Sequence, residues 1–178
     1  MTAPFATSSR SIVDRMRRAA ALDASLYEEV EHDTTATGQA AVVVALAAAA
    51  AAFGNLFRGS PGLFAGVVGS LAGWAVWSGI TYLVGTRLFE GRATWGEVAR
   101  ALGFAQAPGL LRVLAIVPLL GAVVNFVAAI WLLVAGFVGL RQALDVSAGR
   151  TFLTVLVGWV ANLVVQLLIA GLFGLRLH

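Results

Sequence analysis

Residues 97–145 decide the fold of this chain, and they read EVARALGFAQAPGLLRVLAIVPLLGAVVNFVAAIWLLVAGFVGLRQALD. The stretch carries few charges and contains two prolines, Pro108 and Pro118. A bilayer is crossed by about 20 apolar residues, so this stretch is too long for one crossing and too apolar for a protein surface. We interpret it as two helices joined by a tight turn near Gly121, and we conclude that the protein is integral to a membrane.

The composition of the whole chain agrees with this interpretation. Of the 178 residues, 60% are hydrophobic and only 12% are charged, and the mean hydropathy is +0.89. A soluble domain of this size cannot bury so much apolar surface. The chain has no cysteine, which excludes disulfides and thiolate metal sites.

The basic residues are all arginine, twelve in number, and the net charge is +3. Together with the many alanines, this usage indicates GC-rich coding and predicts a bacterial source. The arginines stand at the ends of apolar runs and do not form a basic stripe. We therefore expect no nucleic acid among the partners.

The apolar runs predict an all-α, polytopic membrane protein with five transmembrane helices. Each run of about 20 residues reaches about 30 Å, which matches the hydrocarbon core of a bilayer. The first run is rich in alanine and is expected to pack among the others. The third is expected to kink near Pro108 and to stop at Pro118. The predicted spans are residues 38–57, 62–86, 98–119, 121–141 and 151–174.

Residues 1–37 form a predicted cytoplasmic N-terminal segment with a short amphipathic helix. Ser11 is a capping residue for one helix and Asp23 for a second. We expect the arginines of the first helix to lie off its apolar face, and three glutamates of the second to face solvent. The segment could lie on the lipid surface, lead into the first span in solvent, or bind a cytosolic partner. The apolar face comprises Ile12, Met16, Ala19 and Ala20, the arginines are Arg15, Arg17 and Arg18, and the glutamates are Glu28, Glu29 and Glu31.

The arginines also predict an orientation. Loops that carry an excess of arginine remain in the cytoplasm. With five spans and a cytoplasmic N-terminus, most arginines fall on the cytoplasmic side. We therefore expect a multi-pass protein of the bacterial cytoplasmic (inner) membrane. The arginines placed inside are those at positions 10, 15, 17, 18, 87, 92, 100, 141 and 150.

The sequence contains no motif that is typical of an enzyme, and we expect the protein to be non-enzymatic. None of the predicted spans contains an acidic residue, whereas proton- and cation-coupled transporters commonly use buried carboxylates. The two histidines, His32 and His178, are far apart in sequence, and neither is part of a motif with the spacing of metal ligands. No Ser/His/Asp arrangement, phosphate loop or zinc motif is present. We expect no catalytic residue, no metal and no cofactor.

The second predicted span contains residues typical of helix contacts in lipid. Small side chains recur every four residues along it and form two ridges that allow another helix to approach closely. We therefore predict helix packing at Gly62, Gly66, Gly69, Ser70 and Gly73.

Arg112 is the charge that lies within an apolar run. Ionisable residues inside a membrane are candidates for function. Arg112 could also extend its side chain to the nearby end of the span, about 10 Å away by helical rise. The polar residues that we single out within the spans are Arg112, Asn125, Asn162 and Gln166.

Several motifs resemble the Yip family of five-span membrane proteins (the Ypt-interacting-protein domain) in its bacterial form. The lead-in LDASLYEEVEHD, the pair Gly103-Phe104 followed by Pro108, and Trp131 with the glycines after it carry the resemblance. Eukaryotic members are implicated in membrane shaping and in vesicle traffic through Rab-type GTPases. Their aspartate-leucine-tyrosine-glycine-proline element is absent here. For bacterial members the resemblance implies a membrane protein and no more specific role.

Two hypotheses for function follow. The first is a non-enzymatic scaffold, organiser or accessory subunit of a membrane complex, with the lipid bilayer and other membrane proteins or further copies of the chain as partners. The second is a channel or permease for a small neutral or anionic solute. In that case Arg112, Asn125, Asn162 and Gln166 would line the path.

Overall fold

The computed structural model describes residues 11–58, 62–117 and 119–173, with side chains described except at 58, 162, 163 and 165–173. Every element in these ranges is helical, which confirms the predicted all-α class. Seven α-helices are joined by short connections, and one long 3₁₀ helix lies between α5 and α6. The elements are α1 Ile12–Ala20, α2 Ala24–His32, α3 Ala36–Gly54, α4 Leu63–Leu88, α5 Trp95–Phe104, the 3₁₀ helix Ala107–Ile116, α6 Gly121–Leu144 and α7 Ala148–Phe173, with a 3₁₀ turn at Leu56–Arg58.

Three helices among the described residues are long and apolar enough to cross a membrane, namely α3, α4 and α6. The prediction of five such helices is therefore wrong. In the described part of α7 the apolar segment is shorter, at Ala148–Ala161. The predicted third span, residues 98–119, is not a continuous helix.

The third predicted span is broken before Pro108. Helix α5 ends at Phe104, and the 3₁₀ helix begins at Ala107 with Pro108 in its first turn. Proline has no N–H group and its ring disfavours a helix interior, but it is tolerated in a first turn. The chain therefore starts a new helix at Pro108, where we had expected a kink. Pro118, the expected stop, lies outside the described residues.

The two halves of this broken segment run beside α3 in the same direction as α3. A Cβ at Gly103 would lie 2.7 Å from the Cβ of Ala40, and one at Gly109 would lie 3.2 Å from the Cβ of Ala47. A Cβ at Gly54, the last residue of α3, would overlap the carbonyl oxygen of Arg112. Glycines thus let α3 and residues 95–116 touch from one end of α3 to the other.

The N-terminal helices belong to the core of the fold. Leu26, Tyr27 and Val30 of α2 are fully buried. The ring of Tyr27 packs against Gly139 of α6, and its hydroxyl donates a hydrogen bond to the carbonyl of Ala19 at 3.1 Å. Helices α1 and α2 therefore pack on the bundle and do not form a solvated leader.

Two charged residues that we expected in solvent are buried instead. Arg15 is 5% exposed, and its guanidinium lies 2.7 Å from Asp33 and 3.2 Å from Glu29. It also donates to the side chain of Gln39 at 3.0 Å. Glu31 is 6% exposed. A surface pattern of charges could not reveal these positions, because the burial comes from helices that follow much later in the chain.

Arg100 ties α5 to the end of α2. It is buried, and its Nε donates to the carbonyl of Val30 at 2.9 Å while another guanidinium nitrogen donates to the carbonyl of Glu31. The last carbonyls of a helix lack partners within that helix, and a cation there is favourable. Arg100 thus caps α2 from another element.

The helices place their connections at two ends of the bundle. At the first, which we call the N-terminal end, the N–H of Arg92 donates to the carbonyl of Leu144 at 3.0 Å, and Arg150 donates to the carbonyl of Phe89 at 3.3 Å. At the opposite end, the Asn125 amide donates to Asn55 at 3.2 Å. Helix α2 lies at the N-terminal end, beside α5 and the last turns of α6, whereas α1 reaches from there to the 3₁₀ helix and to Trp131 in the middle of α6.

We predict that Gly54→Ala destabilises the protein by roughly 1–3 kcal/mol, because the new methyl group would overlap the Arg112 carbonyl. Gly38→Ala is the matched control in the same helix, since a Cβ there meets nothing within 4 Å. Thermal unfolding in mild detergent measures both. Equal midpoints for the two variants would contradict the close approach of α3 and the 3₁₀ helix.

The buried Glu31 carboxyl gives a second prediction. Burial raises its pKa from 4.5 to about 7. The folded protein therefore keeps a proton that the unfolded chain has lost, and stability should fall as the pH rises from about 4.5 to about 7. The charged groups that face Glu31 are His32, whose charge lowers the pKa, and Glu28, Glu97 and Asp145, which raise it.

Glu31→Gln should remove most of this pH dependence and raise stability at pH 8 by about 1–3 kcal/mol. Glu28→Gln, at an exposed position of the same helix, is the control and should leave most of the dependence in place, because burial is the largest cause of the raised pKa of Glu31 and the charge of Glu28 is the smallest. Thermal midpoints in detergent between pH 5 and pH 8 provide the measurement. A wild-type protein that is equally stable across this range would refute the assignment.

Candidate functional site

A cavity of about 1080 Å³ lies inside the helical bundle. Its walls come from α3, α4, the segment 102–112, α6 and α7, and they consist mainly of alanine, leucine, valine and aromatic side chains. Among the residues whose side chains are described, the polar ones on the walls are Asn55, Ser70, Gln106 and Arg112. A large apolar cavity with a few convergent polar groups is the usual form of a binding site.

The cavity extends through half of the bundle. Its lining runs from Val44 to Asn55 on α3 and the residue after it, from Gly66 to Trp77 on α4, and from Ala129 to Leu140 on α6. Each of these stretches covers eleven residue steps, or about 16 Å at 1.5 Å per residue. The hydrocarbon core of a bilayer is about 30 Å thick, so the cavity matches the depth of one leaflet.

At the N-terminal end the cavity stops at a packed layer. Trp77, Leu102 and Leu140 are the lining residues nearest to this end. Beyond them, Val43, Val98 and Leu144 are fully buried. The indole of Trp74 donates to the carbonyl of Ala99 at 2.9 Å and so holds α4 against α5.

Arg112 lies at the other end of the cavity. Its carbonyl contacts Gly54, so the residue stands level with the end of α3 and not at mid-depth. Within the described part of the chain its Nε atom is buried without a hydrogen-bond partner, and no lining residue is acidic. A buried polar group without a partner costs free energy, so this nitrogen is a position where a ligand would be stabilised.

The structure brings only some of the predicted polar residues together. Asn125 is hydrogen-bonded to Asn55, which lines the cavity near Arg112. The side chains of Asn162 and Gln166 lie outside the described part of the chain. Sequence analysis missed Asn55 and Gln106, because both follow apolar helices directly and carry no motif of their own.

The small residues of α4 divide between two faces. Gly66, Ser70 and Gly73 line the cavity, whereas Gly69 is exposed on the outside of the helix. A Cβ added at Gly62, Gly66, Gly69 or Gly73 would meet no described atom within 4 Å. Among the residues whose side chains are described, these glycines therefore pack closely against no other helix.

The residues that suggested the Yip family contribute to packing. Phe104 is fully buried and Gly103 touches Ala40. Pro108 is buried at the start of the 3₁₀ helix. The indole of Trp131 donates to the carbonyl of Ala20 at 2.8 Å and so links α6 to α1.

Among the described residues, no group of three or more His, Asp or Glu side chains could hold a metal ion. The chemistry that the cavity offers is an arginine, two amides and a hydroxyl on apolar walls. Such a site can bind an anionic group attached to an apolar body.

Comparison with known proteins identifies the family. No curated protein and no solved structure matches the chain. The Yip1 domain matches residues 24–170, from the start of α2 to the last turn of α7. This match covers most of the chain, and the protein therefore belongs to the Yip1 domain family.

Proposed function

We propose that the protein is a non-enzymatic scaffold, organiser or accessory subunit of a complex in the bacterial cytoplasmic membrane. The observation that carries the proposal is the exposure of α4. Only 6% of its apolar segment is buried within the chain, against 33% for α3 and 22% for α6. Helix α4 packs on α3, α5 and α7 but keeps most of its apolar segment exposed, and this exposed surface is available to helices of other proteins.

The exposed side of α4 is suited to helix association. Ala65, Gly69 and Ala72 are all exposed and lie on one side of the helix at 100° per residue, and we call them the outer face of α4. In lipid the hydrophobic effect between helices is weak, and close packing at small residues drives association. The outer face offers such residues in the half of α4 nearest to Leu63.

The channel or permease hypothesis is less well supported by the geometry. A path across the bilayer needs openings at both ends. The cavity reaches only the layer formed by Trp77, Leu102 and Leu140, and the residues beyond this layer are buried. We therefore favour the scaffold.

We further propose that the N-terminal end of the bundle faces the cytoplasm. Helix α2 lies there, and so do the connections before α5 and before α7, while Arg15 of α1 binds Asp33 at the end of α2. The arginines collect at this end, which fits the rule that cytoplasmic segments carry the positive charge. The arginines concerned are Arg15, Arg17, Arg18, Arg92, Arg100, Arg141 and Arg150.

Single cysteines can test this orientation, because the chain has none of its own. Ser147 is exposed at the N-terminal end, and Leu119 is 94% exposed at the opposite end. In intact cells, a membrane-impermeant thiol reagent should label Leu119→Cys but not Ser147→Cys. Labelling of both variants after lysis is the control. Labelling of Ser147→Cys from outside would reverse the proposed orientation.

Gly69→Leu tests the association itself. A Cβ at Gly69 meets nothing within 4 Å and the residue is exposed, so the stability of the isolated protein should not fall. The leucine side chain would hold a partner helix away from the outer face of α4, and we expect a loss of about 1–3 kcal/mol in association. Chemical cross-linking in membranes and co-purification in mild detergent measure this loss.

Gly149→Leu is the matched control, because a Cβ at Gly149 also meets nothing within 4 Å but stands at the start of α7. It should leave cross-linking unchanged. If Gly69→Leu cross-links and co-purifies like the wild-type protein, association does not use the outer face of α4.

A further inference from the structure

We propose that the cavity binds a membrane phospholipid with a net negative headgroup. The headgroup phosphate would bind Arg112, and the acyl chains would lie between α4, α6 and α7. This inference concerns the inside of the bundle and is independent of the outer face of α4.

The charges at the cavity favour an anion. The Nε of Arg112 is buried without a hydrogen-bond partner, and no described carboxylate forms an ion pair with Arg112. The guanidinium fork of arginine matches a phosphate group and can bind it through two hydrogen bonds. Asn55 and Gln106, which line the cavity with Arg112, supply further amide donors.

The absence of acidic residues from the lining discriminates between headgroups. A zwitterionic headgroup carries an ammonium group next to its phosphate, and no lining residue offers a carboxylate to that ammonium. A headgroup without the ammonium loses no interaction at this site. Selectivity for an anionic over a zwitterionic lipid therefore follows from the residues present.

The position of the site matches the depth of a lipid. Arg112 stands level with Gly54, where α3 ends, and the apolar lining extends about 16 Å from there toward the middle of the bundle. In one leaflet, the phosphate lies at the end of the hydrocarbon region and the chains occupy about half of the 30 Å core. The apolar walls thus extend from Arg112 about as far as the acyl chains of one leaflet extend from the phosphate.

The same depth disfavours a helix as the occupant. A transmembrane helix of a partner needs about 30 Å of apolar surface, whereas the cavity ends at Trp77, Leu102 and Leu140. Acyl chains can end where the cavity ends. Gly66 and Gly73 leave room on the wall of α4 between its larger side chains, and a Cβ at either position would meet nothing within 4 Å.

Tryptophan fluorescence offers a direct test, because Trp74, Trp77 and Trp159 line the cavity. The full-length protein is reconstituted in vesicles that contain a small fraction of brominated phosphatidylglycerol or brominated phosphatidylcholine. Bromine on the acyl chain quenches a tryptophan that it contacts. We expect the wild-type protein to be quenched at a several-fold lower fraction of the anionic lipid.

Arg112→Gln should abolish this several-fold preference for the anionic lipid, since a charge-assisted contact is lost. Arg150→Gln is the control, because Arg150 is exposed at the N-terminal end and bonds Phe89 and Glu90. An unchanged preference in Arg112→Gln would overturn the assignment of the phosphate to Arg112. Loss of the preference on addition of inorganic phosphate would identify a site for soluble phosphate and overturn the lipid proposal.

Gly73→Leu provides a second variant that leaves Arg112 in place. Gly73 lines the cavity and a Cβ there meets nothing within 4 Å, so a leucine side chain should occupy part of the cavity. Quenching by either lipid should decrease, while the helical circular dichroism stays that of the wild type. If Gly73→Leu is quenched like the wild-type protein, or if cross-linking finds a partner helix in the cavity, no lipid occupies it.

Discussion

The close contact between α3 and the broken segment 95–116 is the constraint on which the rest of the structure depends. It is possible because Gly54 and Gly103 present no side chain where the two backbones meet. In lipid such contacts stabilise a bundle through packing, since burial of apolar groups against other helices gains little over burial in acyl chains. The contact brings Arg112 to the end of α3, fixes one wall of the cavity and places α5 where α2 can pack on it.

Local sequence signals predicted much of the fold. The capping residues Ser11 and Asp23 start helices α1 and α2 as expected, and the long apolar runs became helices. The position of the break near Pro108 was predicted, but a kink was expected there and a new 3₁₀ helix is found. Whether a chain kinks at proline or begins a 3₁₀ helix there depends on the neighbouring helix, and the packing of α3 against residues 107–116 is not visible in a local pattern.

Burial of charge was harder to predict than burial of apolar residues. Arg15 and Glu31 lie among solvent-facing residues in the sequence, and their burial results from contacts with helices that come later in the chain. For the site, the sequence singled out Arg112 and the small residues of α4. It could not separate Gly69, which faces outward, from Gly66 and Gly73, which line the cavity, because that separation depends on where α6 and α7 stand.

The hydrogen bonds that hold α1 and α2 also determine the order in which the chain can assemble. Arg100 caps α2 over a sequence separation of 70 residues, and Trp131 reaches Ala20 over a separation of 111. A ribosome delivers residues from the N-terminus onward, so α1 and α2 emerge long before the groups that bind them. Helices α1 and α2 are therefore synthesised before these partners, and they can reach their final positions only after α6 has been synthesised.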